Sequence, residues 1–176
     1  MDDDEDQLAD SPPQETVDAA ISAFFLLEHA RASGARQRRL ERASDDLREC
    51  LEAVAERILT TRELAVLDLE LQFQPFGAAA RIADADALLF ALCSWLEDSR
   101  WHGNDFEDRR LRVHLALPLA RFVTRLPRFD GPVDGGCAMW DVEAAVRQAR
   151  REIRVARGAA GSASKRDVAY RAPYSR

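Results

Sequence analysis

Leu40, Ala43, Leu47, Cys50 or Leu51, Val54 and Ile58 recur at steps of three and four residues, with charged side chains between them. An α-helix lines that spacing up on one face, because its 3.6-residue turn stacks positions i, i+3, i+4 and i+7. A helix over about 36–59 then carries one apolar stripe and a charged back, and the stripe has to be covered by other elements. The same period recurs along the chain. The expectation is a mainly α fold, a single bundle of about five helices over 15–157.

The partners of that helix follow from similar signals. Val17, Ile21, Phe24 and Leu27 or Glu28 predict a helix over 15–32, stopped at "SGA", where Gly34 suits a left-handed cap. Asp84 or Asp86 caps a helix over 85–98. Its Leu88, Leu89, Leu92, Trp95 and Leu96 make it the most apolar element and the expected centre of the core. "EDRRLRVHLALPLARF" alternates as a strand would, but Leu111, Leu115, Leu119, Phe122, Val123 and Leu126 line one longer helical face. That pattern predicts a helix over about 105–126, capped by Asn104 or Asp105 and kinked at Pro118. Residues 127–138 read as a proline- and glycine-rich loop. Val142, Val146, Ala149 and Ile153 predict a last helix over 139–157.

Residues 60–76 carry conflicting signals. "LDLELQF" alternates strictly, the mark of a short strand near 66–73, whereas Thr60 with Glu63 forms a capping box that starts a helix. The helical neighbours and the lack of a second strand favour the helix.

The 47% share of hydrophobic residues can build a core without metal or disulfides, and no apolar run reaches membrane-spanning length. Five consecutive acids near the N-terminus replace the apolar stretch of a secretory signal, and the three cysteines form no CxxC pair. A cytoplasmic or other reducing intracellular setting is expected. The net charge of -6 conceals an asymmetry: 25 acids against 10 bases over 1–108, then 6 acids against 15 bases over 109–176. Residues 1–14 read as a disordered acidic tail and 158–176 as a flexible basic one.

Two features carry candidate chemistry. Arg147, Arg150, Arg151, Arg154 and Arg157 fall within one stripe of the last helix, spread over about 120° by the helical step of 100°. Such a stripe suits an acidic protein partner or the chain's own acidic surface, and as an alternative a nucleic-acid backbone. Arg109 and His114 form an R-x4-H spacing at the start of a helix, which resembles the R-x4-6-H signature of HEPN-domain ribonucleases. That resemblance implies a helical homodimer in which Arg109 and His114 flank a scissile phosphate without metal. Arg110 stands where many members of that family have a small polar residue. Amphipathic helices around an apolar central helix over 86–96 also resemble the groove-bearing bundles of apoptosis regulators, although their Asn-Trp-Gly-Arg motif and membrane anchor are absent.

Other motifs are missing. There is no GxxxxGK loop, no dinucleotide fingerprint, no GxSxG, and His102 with Asp105 and Glu107 falls short of a zinc set. No cofactor and no metal are expected. The sequence therefore predicts a non-enzymatic interaction module, an adaptor, regulator or inhibitor, with a ribonuclease and a nucleic-acid-binding accessory protein as alternatives.

Overall fold

The structure is a computed structural model that describes residues 16–97, 106–126 and 135–169, with side chains placed over 16–97, 106–126 and 139–158. Among the described residues the protein is all-α: seven helices, no strand, one packed body. They are α1 (Val17–His29), α2 (Ala35–Ile58), α3 (Thr61–Phe73), α4 (Ala78–Ile82), α5 (Ala85–Glu97), α6 (Phe106–Val123) and α7 (Gly135–Ala169). No helix there is long and apolar enough to cross a membrane.

The apolar stripes meet as their spacing requires. α5 lies in the middle against α2, α6 and α7, with Leu88, Leu89, Leu92 and Trp95 removed from solvent. Asp84 starts it, its carboxylate accepting the Ala87 N–H at 2.8 Å. Leu40, Ala43, Leu47, Cys50, Leu51 and Val54 of α2 are buried together, so both residues of the Cys50-or-Leu51 choice face the core. Leu111, Leu115, Leu119 and Val123 of α6 and Val142, Val146 and Ala149 of α7 complete the interior. Gly34 takes positive φ, 57°, but directly before α2 rather than at the end of α1.

One open choice falls to the favoured helix and two expectations change. Residues 66–73 form no strand; they belong to α3, held at its start by the reciprocal Thr60 and Glu63 bonds of a capping box. With no second strand among the described residues to pair with, alternation cannot close a ladder, whereas the box satisfies helix-end donors locally. α4 is an additional short helix, entered through Gly77 at φ 72°, whose N–H donates to Glu52 at 2.8 Å. α7 begins at Gly135 and runs to Ala169, beyond the expected 139–157 at both ends. The expected acidic tail, the Asn104 or Asp105 cap and most of the 127–138 loop lie outside the described residues.

Two arginines sit inside the body. Arg48 donates to Asp18 at 2.6 Å, to the Ser44 hydroxyl at 2.6 Å and to the Ser22 hydroxyl at 2.8 Å, fastening α1 to α2. Arg112 of α6 reaches Asp46 of α2 and lies over the Trp95 ring at 5.8 Å. Neither follows from the charged backs of those helices; each depends on acceptors distant in sequence.

Candidate basic interaction site

Where the N-terminal half of α6 crosses the start of α2 and the middle of α7, the surface sinks into a concavity of about 530 Å³. α2 contributes Arg36 and Arg39, α6 contributes Glu107, Arg110 and His114, and α7 contributes Arg150 and Arg154. Leu111 and Val113, both buried, and the half-buried Ile153 give it an aliphatic floor. Asp108 holds the α2 and α6 walls together, accepting from Arg42 at 3.0 Å on both oxygens and facing Arg39 at 3.2 Å. Acids in the first turn of α6 also suit the positive end of the helix dipole.

The concavity is strongly cationic even after its internal pairs are counted. Arg110 is paired with Glu107 at 3.0 Å and Arg36 faces Glu28 at 3.7 Å. Arg150 and Arg154 make no ion pair with another described residue. Five guanidiniums thus surround a volume lined by one carboxylate. An imidazole and aliphatic floor complete a pocket for an anionic group attached to an apolar body.

The arginine stripe divides. Arg150 and Arg154 enter the basic concavity. Arg147 and Arg151 turn to the other flank of α7 and line a second cavity of about 720 Å³ between α5 and α7, with Leu89, Phe90, Cys93, Glu97 and Asp141. Arg147 also lies over the Trp140 ring at 5.2 Å and near Glu143 at 3.7 Å. Arg157 is exposed and lines neither cavity. No described ion pair joins the stripe to the acids of residues 16–97.

Arg109 and His114 are placed in different surroundings. Five positions turn a helix by about 140°. Arg109 therefore leaves the face that carries His114 and pairs with Glu152 of α7. Arg110, one helical turn before His114, shares the concavity with it instead. The sequence reading missed Arg36, Arg39 and Arg110. The i,i+3 spacing of the first two and the i,i+4 spacing of Arg110 with His114 were visible, but nothing in the chain says that those turns meet α7.

Among the described residues no three His, Cys, Asp or Glu side chains gather where they could hold a metal ion. Cys93 is half-buried in the second cavity, and burial, then Glu97 and Asp141, push its thiol up to about 11. At pH 8 such a thiol is only about 0.1% thiolate, against roughly a quarter for an ordinary cysteine near 8.5. Iodoacetamide at pH 8, followed by peptide mapping, should therefore modify Cys93 at least tenfold more slowly than an unstructured cysteine peptide. Modification at the peptide's rate would show that the cavity does not hold the thiol neutral.

A different face is apolar. Val66, Leu69 and Phe73 fall on one side of α3 with Phe76 just beyond it, and all are exposed, Phe73 at 85%. The alternating sequence scatters its apolar residues around the helix; Leu67 is buried and Leu64 packs half-buried against the core. Comparison of the chain with protein-family models, with curated proteins and with solved structures finds no match.

Proposed function

We propose that this protein is a helical interaction module that captures an acidic segment of a partner protein in the basic concavity. The observation that carries this reading is the convergence of Arg36, Arg39, Arg110, Arg150 and Arg154 over an aliphatic floor. Alternating carboxylates and aliphatic side chains in one peptide match that lining. A nucleic-acid strand would call for stacking aromatics, and none lines the concavity. The -15 balance of residues 1–108 would also oppose a polyanion as large as nucleic acid at long range. The exposed apolar face of α3 supports the same class of function, because contiguous apolar surface is a common mark of protein partners.

The test pairs a fluorescein-labelled acidic peptide with interleaved leucines against a labelled single-stranded RNA, read by anisotropy. The protein should bind the peptide. Arg150→Glu combined with Arg154→Glu should weaken it about 30-fold or more, since two exposed attractions become repulsions. Both positions are exposed, so circular dichroism should show an intact fold. Equal peptide affinity in the folded double variant would overturn the assignment. RNA binding that the variant loses, with no peptide binding, would transfer the site to nucleic acid.

A further inference from the structure

We infer that the acidic run Asp2–Asp6 of this same chain is the resident occupant of the basic concavity and that a partner's acidic segment binds by displacing it. This rests on the reading of the concavity as a carboxylate site.

Charge supply is the first ground. The acids of the folded body close to the concavity are already engaged: Asp108 by Arg39 and Arg42, Glu107 by Arg110, Glu152 by Arg109. Arg150 and Arg154 are left without a described ion-pair partner. Asp2, Asp3, Asp4, Glu5 and Asp6 form the only run of five consecutive carboxylates in the sequence.

Reach is the second. Thr16 caps α1, and the 2.6 Å bond between Asp18 and Arg48 fixes that end of α1 beside Arg48 of α2. From Arg48 back to Arg36 is about 18 Å of helix, and crossing to the neighbouring groove adds about 10 Å sideways, a path of roughly 20 Å. The residues 7–15 that join the acidic run to Thr16 extend to about 30 Å. The run therefore reaches the arginines with slack.

Tethering is the third. A linker this short holds the run at a local concentration on the order of millimolar. A contact too weak to matter between separate molecules then occupies the site for much of the time, and an incoming segment must compete with it.

The experiment compares the full chain with a variant carrying Asp2→Asn, Asp3→Asn, Asp4→Asn, Glu5→Gln and Asp6→Asn together. None of these positions lies among the described residues, and both proteins are expected to melt alike. The His114 ring resonances should differ between the two at low salt and converge near 1 M salt, where the screening length falls to about 3 Å. The variant should bind the acidic leucine peptide about 3- to 10-fold more tightly, and the difference should vanish when Arg150→Glu and Arg154→Glu are added to both. Identical His114 resonances and equal peptide affinities would overturn the inference while leaving the concavity a binding site. A failure of every protein to bind the peptide would remove the proposed function, and the His114 resonances would still decide whether the run sits in the concavity.

Discussion

Asp46→Ala will destabilise the fold by about 3–5 kcal/mol, chiefly because it strands a buried guanidinium. The Arg112 side chain is 6% exposed and, among the described residues, Asp46 is the one carboxylate paired with it, its own side chain 29% exposed. The Arg112 Nε and Nη1 atoms have no hydrogen-bond partner among the described residues. Without the carboxylate, the charge keeps only the face of Trp95 at 5.8 Å. Arg112→Leu is expected to cost less, because a partly exposed Asp46 can return to water. The pair replaced by Asp46→Leu and Arg112→Leu together should be neutral or up to about 4 kcal/mol more stable than the natural chain.

The direction of the Asp46 pKa fits this order. Burial raises it above 3.8, and the attraction of Arg112, which lowers it, does not restore it; Asp108 and Asp45 add to the rise. A carboxyl raised in the folded state contributes stability that is fully present below 3.8 and lost as pH rises through the folded value. The advantage of the double variant should therefore grow as pH rises from 3.8 and level off above the folded value. Urea denaturation of the four proteins at several pH values measures all of this. An Arg112→Leu cost equal to or above that of Asp46→Ala would mean the guanidinium is not the stranded partner.

Arg112 also marks the boundary of what the sequence discloses. The stripes of α2 and α7, the capping box of α3 and the Asp84 start of α5 are local, and each was legible from residues a turn or two apart. Arg48 and Arg112 stand on helices whose charged positions read as solvent-facing, yet their burial depends on Asp18 and Asp46, 30 and 66 residues away. α3 shows the converse. Alternation in "LDLELQF" is a local strand signal, but a strand needs a partner that the other described residues do not provide. α4 was invisible because five residues are too few to show a period, and it depends on the positive φ of Gly77.

The candidate site divides in the same way. Arg150 and Arg154 were legible as a stripe. Their partition from Arg147 and Arg151 was not, because it is set by α7 lying between α5 on one flank and α6 on the other. Arg109 and Arg110 are adjacent in sequence and equal in charge. The helical step puts Arg110, itself paired with Glu107, on the face of His114, and the position of α7 gives Arg109 its partner Glu152 instead.

Trp95→Ala is expected to cost about 3–5 kcal/mol, the range for deleting a fully buried aromatic whose neighbours cannot collapse into the space. Trp95 is 0% exposed on the central helix, which packs against α2, α6 and α7, and its ring meets Arg112 of α6. At this chain length each kcal/mol lowers Tm by roughly 2–4 °C, so a fall of about 10 °C is expected by circular dichroism. Volume is the cause, as Trp95→Phe will distinguish. The buried Trp95 Nε1–H has no hydrogen-bond partner among the described residues, so phenylalanine discards an unsatisfied donor while keeping most of the ring. Its cost should stay below about 1.5 kcal/mol. The indole face also supports the Arg112 charge, which couples the two predictions. In the background of Asp46→Leu with Arg112→Leu, the cost of Trp95→Ala should shrink by about 0.5–1 kcal/mol, the worth of the lost cation–π contact. A phenylalanine variant as unstable as the alanine one would mean that the indole N–H is bonded after all. An undiminished alanine cost in the uncharged background would mean that Trp95 acts through packing alone.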